Sequence, residues 1–159
     1  MLFLKENYSF LEIFHTSMNS AEIKNRLAGK GLKITPQRTA IFEAIYELSN
    51  HPTADNIIEF IRQKHPNIAT GTVYKVLETL VTNRLIKKVT TDKDVMRYDG
   101  IMENHHHLYC SESDLIEDYH DSELDELLRK YFENKHLPGF IIKEFVLQIK
   151  GTFNKTNIY

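Results

Sequence analysis

Hydrophobic residues in the first half of the chain recur three and four positions apart, and this helical spacing predicts four helices. The first follows Ser20, a capping residue, and ends at Gly29 and Gly31, because glycine favours a helix end. The second begins at Thr35-Pro36, because threonine caps a helix and proline suits its first turn. The third opens at Thr53, and the fourth begins at about residue 70.

The fourth segment has the clearest amphipathic pattern. Its core-facing stripe consists of Val73, Val76, Leu77, Leu80 and Val81. The opposite face holds small polar residues and one lysine, which suit a DNA groove. Leu85–Thr90 and Val95–Asp99 follow as two strands joined by a turn. Helices followed by a β-hairpin predict a winged helix-turn-helix, and a purely structural packing unit is the alternative.

Shorter elements alternate in the second half, so we interpret the whole chain as α+β. His105–Cys110 and Leu115–Tyr119 are candidate strands, Ser122 begins a helix with a capping-box pattern, and Phe140–Lys150 is predicted as one long strand. The apolar stripe of this helix consists of Leu124, Leu127, Leu128, Tyr131 and Phe132. So short a segment buries little apolar surface alone, and we expect it to complete its core as a homodimer.

The composition is that of a folded globular protein, since 42% of the 159 residues are hydrophobic and 26% are charged. No apolar run approaches the roughly 18 residues that span a bilayer. Residues 1–14 are interrupted by charges and lack a cleavage site, so we expect neither a signal peptide nor a membrane partner. The single Cys110 excludes an intramolecular disulfide and a four-cysteine zinc site within one chain. These features predict a cytoplasmic protein.

Charge is distributed unevenly along the chain, although the formal net charge is only −2. Residues 1–90 carry 12 lysines and arginines against 8 acidic residues, whereas residues 91–159 carry 8 against 14. A basic first half suits a polyanion such as DNA. An unevenly charged but merely solvated surface is the alternative.

Three consecutive histidines begin the first strand of the second half. Because side chains alternate along a strand, His105 and His107 share one face and His106 takes the other. Two imidazoles on one strand face, about 7 Å apart, can bind one metal ion. Imidazole suits zinc, iron, nickel and copper, and carboxylates shift the preference toward Fe²⁺ or Mn²⁺. Asp99 lies before this strand and two acids lie at 117–118, so a mixed histidine–carboxylate site is predicted.

A catalytic role is the competing interpretation of these residues. Two histidines and a carboxylate with open positions also suit a non-haem metalloenzyme. A cysteine nucleophile fits poorly, because Cys110 lies three residues after His107 and on the opposite strand face, so we interpret it as a buried strand cysteine. No glycine-rich phosphate loop is present. We predict no catalytic residues and a chain that is not an enzyme.

Four motifs together resemble the ferric uptake regulator (Fur) family of metal-responsive bacterial repressors. They are GLKITPQR at 31–38, HPTA at 51–54, TVYKVL at 72–77 and HHHLYC at 105–110. The resemblance implies a dimeric α+β protein. Its parts would be an N-terminal extension (1–19), a winged helix-turn-helix DNA-binding domain (20–99) and a small α/β dimerisation and metal-binding domain (100–159).

The resemblance also implies a regulatory metal site. Its ligands fall on His51, Asp99, His105, His107 and Asp118. Fe²⁺ or Mn²⁺ is the expected ion, and Zn²⁺ is expected to be able to bind in vitro. One ion bound by both halves would fix their relative orientation and thereby favour the DNA-binding arrangement.

Asp118 is similar to the residue that peroxide-sensing members of the family carry, where iron-sensing members tend to carry glutamate. The resemblance therefore implies that peroxide oxidises a ligand histidine, His51 or His105, when the ion is Fe²⁺, and that the metal is then lost. Mn²⁺ in the same site would not react in this way. A repressor that senses the level of iron, zinc or manganese without responding to peroxide is the alternative.

The chain departs from the family pattern in its cysteines. Most relatives hold a structural zinc with two CxxC pairs, but Ser111–Ser113 follow Cys110 here and residues 151–159 contain no cysteine, so we expect no structural zinc. Packing is expected to hold the strands instead, through Phe140, Phe145, Phe153 and the apolar N-terminal extension.

Two further departures concern a second metal site and a helix cap. The second family site would need His106 and Asp125, but its C-terminal histidine matches Phe145. We therefore predict that this site is absent or weak, and that His106 faces solvent or is a weak second ligand. Ala69 stands where serine usually precedes the recognition helix, so Thr70 is expected to cap it.

The predicted partner is a double-stranded DNA operator, expected to be an AT-rich inverted repeat. Tyrosine offers a ring edge to a thymine methyl, and lysine reaches guanine or phosphate. Core packing is the alternative for Tyr74. The expected contact residues are Lys33, Gln37, Arg38, Thr72, Tyr74 and Lys75.

Overall fold

The computed structural model describes residues 18–93 and 95–153. They divide into two compact units, with the boundary between Met102 and Glu103. The first unit contains four helices and a β-hairpin, and the second contains a three-stranded sheet and one helix, which is an α+β architecture. No helix in these ranges is long and apolar enough to cross a membrane. The expected packing of the N-terminal extension falls on residues 1–17 and lies outside the described residues.

Local capping explains where the helices of the first unit begin. They are α1 (Ser20–Gly29), α2 (Pro36–Leu48), α3 (Ala54–Lys64) and α4 (Thr70–Thr82). The predicted starts of α2 and α3 are confirmed, because Thr35 accepts the N–H of Arg38 at 3.3 Å and Thr53 accepts that of Asn56 at 3.1 Å. Ser20 is not the cap of α1, because it is already the first helical residue; the cap is Asn19, in a capping box.

The expectation that Thr70 caps α4 is wrong. Ala69 occupies the N-cap position, with an extended backbone and no side-chain hydrogen bond. Its carbonyl accepts the N–H groups of Thr72 and Val73, at 2.9 and 3.3 Å. Thr70 is already the first helical residue, so its hydroxyl is one position too late to act as the cap.

The core of the first unit lies between its helices. The predicted stripe of α4 faces this core, with Val73, Val76, Leu77 and Leu80 buried and Val81 partly buried. Fully buried partners from the other three helices include Ile23, Leu27, Ile41, Phe42 and Ile57. The helical periodicity therefore identified the side of α4 that packs against the core.

A β-hairpin follows α4, formed by β1 (Lys87–Thr90) and β2 (Met96–Asp99) in antiparallel register. Each strand is shorter at its start than predicted. The N–H of Tyr98 donates to the carbonyl of Pro52 at 3.0 Å, and Arg97 forms an isolated bridge with Thr53. These bonds fasten the start of α3 beside the second strand.

The second unit is a small sheet with one helix. Its elements are β3 (His106–Cys110), β4 (Leu115–Tyr119), α5 (Ser122–Glu133) and β5 (Gln148–Lys150). The strand order is β4-β3-β5, with β4 antiparallel and β5 parallel to β3. Cys110 is buried, as predicted. The helix begins at Ser122, but its cap is Asp121, which accepts the N–H groups of Glu123 and Leu124.

The long strand predicted over Phe140–Lys150 is wrong for most of its length, because β5 covers only its last three residues. A strand needs a partner edge, and of residues 140–150 only Gln148, Ile149 and Lys150 form ladder pairs with β3. Phe140 is 68% exposed, so the expectation that it packs under the strands is also wrong. Phe145 does pack, since its ring lies 5.1 Å from that of Phe132. Phe153 is partly buried.

Candidate metal centre

His51 and Asp99 come together in the first unit. The Nε2 atom of His51 lies 4.0 Å from Oδ2 of Asp99, and both side chains are almost entirely buried. The other carboxylate oxygen of Asp99 accepts the N–H of Ile101 at 2.7 Å, which orients the group. An imidazole and a carboxylate form a donor pair that suits Fe²⁺, Mn²⁺ or Zn²⁺.

An unusual backbone places His51. Ser49, Asn50 and His51 have φ values of 47°, 46° and 53°, in the left-handed region that residues other than glycine rarely adopt. Such segments persist only where the surrounding structure holds them, and they cluster at functional sites. Here Nη1 of Arg97, on β2, donates to the carbonyl of His51 at 3.0 Å. The hairpin therefore holds the segment that carries this histidine.

Gly100 permits a close contact directly after Asp99. The hydroxyl of Tyr46 donates to the carbonyl of Gly100 at 2.6 Å and accepts a hydrogen bond from Arg26 at 3.0 Å. A Cβ atom at position 100 would lie 2.7 Å from Cζ of Tyr46, so any larger residue would require the Tyr46 ring or the backbone to shift. Sequence reasoning missed this contact, because no local pattern links positions 46 and 100.

In the second unit, His105, His107 and Asp118 converge on one face of the β3–β4 hairpin. The antiparallel register places His107 opposite Asp118. The Oδ1 atom of Asp118 lies 3.2 Å from Nε2 of His105 and 3.9 Å from Nε2 of His107. The two imidazole rings have centroids 4.7 Å apart. The structure thus brings together two nitrogen donors and one oxygen donor within this unit.

The hydrogen bond made by His105 decides which of its nitrogens can bind a metal. Its Nδ1 lies 2.9 Å from the carbonyl oxygen of Glu103. A carbonyl only accepts, so Nδ1 carries the proton and Nε2 of the neutral ring carries a lone pair. That lone pair and Oδ1 of Asp118 are both acceptors, and a cation between them satisfies both. A backbone carbonyl on the second ring nitrogen is also the usual support of a metal-binding histidine.

His106 differs from its two neighbours, and the expectation that it faces solvent is wrong. It is 0% exposed. Its Nδ1 accepts the N–H of Leu147 at 3.2 Å, so Nε2 of the neutral ring carries the proton and points toward Asp125, 3.4 Å away. Asn104 also donates to Asp125, at 3.3 Å. Neither nitrogen of His106 then offers a lone pair to an ion, which argues for a structural role.

Ionisation near the end of the hairpin stabilises the start of α5. The hydroxyl of Tyr119 donates to Asp121 at 2.7 Å. This bond, helped by the N–H of Leu124, lowers the pKa of Asp121 below its usual value. The same bond raises the pKa of Tyr119. Asp121 therefore stays ionised and accepts from the helix N-terminus.

His120 is a residue that sequence reasoning missed. The register of β3 and β4, continued by one residue, places it opposite His105, and their ring centroids are 5.3 Å apart. The signal was present in the sequence, because a histidine two residues after Asp118 lies on the same strand face as that aspartate.

Most of the predicted DNA-contact residues are accessible on the first unit. The exposed ones are Lys33, Gln37, Tyr74 and Lys75, and Thr72 is partly exposed. Tyr74 is 48% exposed, so core packing is the wrong interpretation for it. Arg38 is partly buried, and its Nη1 donates to the carbonyl of Lys33 at 2.7 Å, which also supports the turn before α2.

Comparison with known proteins decides the family, because residues 29–149 match the ferric uptake regulator family. The chain belongs to the Fur family. The peroxide operon regulator of Bacillus subtilis is 34% identical over 130 residues, which cover 82% of this chain and 88% of the relative. The peroxide-responsive repressor PerR of Staphylococcus epidermidis is 32% identical over 121 residues, covering 76% and 79%.

A solved Fur structure has the same fold. The ferric uptake regulator of Helicobacter pylori matches with a TM-score of 0.63 and 25% identity, over 85% of this chain and 93% of that one. That structure is described as revealing three functional metal binding sites. The fold prediction is confirmed, and so is the interpretation of the chain as a metal-dependent transcriptional regulator of the Fur family. The relatives named here are regulators rather than enzymes.

Proposed function

We propose that this chain is a DNA-binding repressor that releases its operator when peroxide reacts at its metal site. The site would consist of His51, Asp99, His105, His107 and Asp118. The observation that carries the proposal is the convergence of His105, His107 and Asp118, with atoms 3.2 and 3.9 Å apart and a lone pair set by Glu103. The names of the two peroxide-responsive relatives support the choice of signal.

The donor set fits the proposed ions. Two imidazoles and one carboxylate with further positions open are a usual set for non-haem Fe²⁺. His51 and Asp99 would add one nitrogen and one oxygen, a mixture that suits Fe²⁺ or Mn²⁺ and also accepts Zn²⁺ in vitro. Fe²⁺, when bound, would activate peroxide for oxygen transfer. An imidazole carbon of His51 or His105 would take up one peroxide oxygen and so be oxidised by two electrons, and the other oxygen would leave as water.

Coupling to DNA would follow from where the ligands lie in the chain. His51 and Asp99 belong to the first unit and the other three to the second. One ion bound by all five favours the arrangement in which they can share it, and a ligand shifts an equilibrium by its differential affinity for the two states. A coupling of about 1–3 kcal/mol changes operator affinity roughly 5–150-fold. Oxidation of one imidazole removes this coupling.

The exposed surfaces of the two units support the proposed domain roles. In the DNA-binding domain (20–99), α4 would enter the major groove, since Thr72, Tyr74 and Lys75 lie off its buried stripe. The dimerisation domain (100–159) would pair through α5 and the segment after it, where the exposed apolar residues include Leu127, Tyr131, Phe140 and Ile141. A two-fold dimer matches an inverted-repeat operator.

A peroxide experiment tests this proposal. Dilute peroxide should add one oxygen atom to the peptide that contains His51 or His105 in the Fe²⁺ protein, and operator affinity should fall. The Mn²⁺ protein is the matched control. Its histidines should stay unmodified and its operator affinity should not change. Mass spectrometry and a DNA-binding titration on the same sample measure both. Unmodified histidines and preserved affinity in the Fe²⁺ protein would contradict peroxide sensing and favour a metal-level sensor.

A lysine substitution tests the DNA-binding face. Lys75→Ala should weaken operator binding and reduce the slope of log affinity against log salt by about one, as expected when one phosphate contact is lost. Lys64→Ala is the control, because Lys64 lies on α3 and pairs with Glu47. An unchanged slope for Lys75→Ala would rule out a phosphate contact.

A further inference from the structure

We infer that His120 is a further ligand of the metal ion bound by the β3–β4 hairpin. The inference rests on the proposed function, because it concerns the same ion. The residues proposed above from this hairpin are His105, His107 and Asp118, and His120 completes a group of four on one face.

The sheet register brings the four side chains together. Pairing of His107 with Asp118, and of His106 with Tyr119, sets the register of the hairpin. One further step places His105 opposite His120. Alternation along each strand then directs both members of each pair to the same face. Directly opposed residues have Cβ atoms about 5 Å apart, close enough to share one ion.

The ring positions agree with shared coordination. An imidazole nitrogen about 2.1 Å from a metal places the ring centroid about 3.2 Å from it, so two such rings at 90–110° have centroids about 4.5–5.3 Å apart. The observed separations are 4.7 Å for His105 and His107, and 5.3 Å for His105 and His120. The Nε2 atom of His120 is shielded from solvent, so this nitrogen faces the protein.

A fourth hairpin donor has a consequence for metal selectivity. With His120 the hairpin offers three nitrogens and one oxygen. Imidazole suits iron and zinc better than manganese, whose preferred donors are carboxylate, carbonyl and water. His120 therefore biases the site toward Fe²⁺ over Mn²⁺, which is a bias toward the ion that reacts with peroxide.

Cobalt binding tests the inference, with Co²⁺ as a spectroscopic probe and Mn²⁺ as the comparison. The variants are His120→Ala, His120→Phe, which keeps an aromatic ring without nitrogen, and the control His136→Ala, at an exposed histidine of the same unit. Both His120 variants should weaken Co²⁺ affinity by more than the roughly 10–100-fold that loss of an outer-shell partner costs, and should change the visible Co²⁺ absorption bands. Their Mn²⁺ affinity should fall less, and His136→Ala should match the wild type.

The possible outcomes separate this inference from the proposed function. Wild-type affinity and spectrum in His120→Phe would show that the ring only packs against His105, and would overturn the inference. If His105→Ala also binds Co²⁺ like the wild type, the proposed metal site itself fails. If His105→Ala loses Co²⁺ while the His120 variants keep it, only the inference fails.

A measurement on the wild-type protein removes any dependence on how the variants fold. Ligand imidazoles of a Co²⁺ protein give strongly shifted NMR signals, and those of His120 should be among them. Signals from His105 and His107 without any from His120 would overturn the inference.

Discussion

The two units of the molecule stabilise themselves in different ways. The first buries apolar side chains from all four of its helices, and Phe42, Leu77 and Leu80 are completely enclosed. In the second unit, the buried residues of the described chain are His105, His106, His107, Tyr109, Cys110 and Ile116. No residue of α5 is buried.

This difference shows what each unit needs in order to fold. Buried apolar surface stabilises by about 25 cal/mol per Å² and needs no partner. Buried imidazoles, in contrast, cost free energy unless they are hydrogen-bonded or bind a cation. Two imidazoles of the second unit have hydrogen-bond partners in the carbonyl of Glu103 and the N–H of Leu147. On the proposed function, a bound ion and a partner chain that covers α5 would add to the stability of this unit, which would then depend on their concentrations.

The largest expected effect is in the core of the first unit. Phe42→Ala should lower the free energy of unfolding by about 3–5 kcal/mol, because it leaves a cavity among fully buried side chains. Urea unfolding of the metal-free protein measures it. The decrease in unfolding free energy should be the same at two protein concentrations, because this core is formed within one chain.

Leu127→Ala provides the contrasting change in α5, where the side chain is 62% exposed. It should act through self-association, so its effect should depend on protein concentration in sedimentation and in unfolding. A loss as large as that of Phe42→Ala at every concentration would refute the contrast between the units.

An intermediate effect is expected at Gly100. Gly100→Ala should cost about 1–3 kcal/mol, because the new Cβ would lie 2.7 Å from the Tyr46 ring. Metal affinity should fall too, because relieving this contact disturbs the hydrogen bond between Tyr46 and Gly100, directly after Asp99. Thermal unfolding and metal titration measure both effects. Gly29→Ala is the control, since no atom lies within 4 Å of a Cβ there, and it should be neutral or stabilising.

The smallest expected effect is at the cap of α5, and it depends on pH. Asp121→Ala should cost about 1 kcal/mol near neutral pH. The pKa of Asp121 is lower in the folded protein than its ordinary value of 3.8, so its stabilisation is complete above that value and is lost as the pH falls through the folded pKa. The difference in unfolding free energy between wild type and variant should therefore narrow in acid. A difference that stays constant across the acid range would contradict an ionised cap.

Local chemistry made part of the structure predictable. Thr35 and Thr53 mark helix starts because a cap bonds to a backbone N–H three residues later. Strand alternation likewise assigned His105 and His107 to one face before any fold was known. Such signals need only neighbouring residues, and they located the four helices of the first unit, although the caps of α1 and α4 differ from those expected.

The features that the sequence did not predict depend on contacts between residues far apart in the chain. His106 is buried against the N–H of Leu147, 41 residues away, and Gly100 contacts Tyr46, 54 residues away. The short length of β5 reflects how much of the β3 edge it reaches, which no local pattern encodes. His120 is the exception, because extending the register of two predicted strands would have found it.

The single cysteine of the chain limits how a cell could reverse the effect of peroxide on this protein. Cys110 is the only cysteine in the sequence, and it is buried in β3. Disulfide-forming oxidants have no pair of thiols to link within one chain, so thiol reductants have no intramolecular disulfide to reverse. On the proposed function, the signal is recorded as a carbon–oxygen bond on an imidazole. The message then lasts as long as the polypeptide, and resetting the switch requires newly synthesised protein.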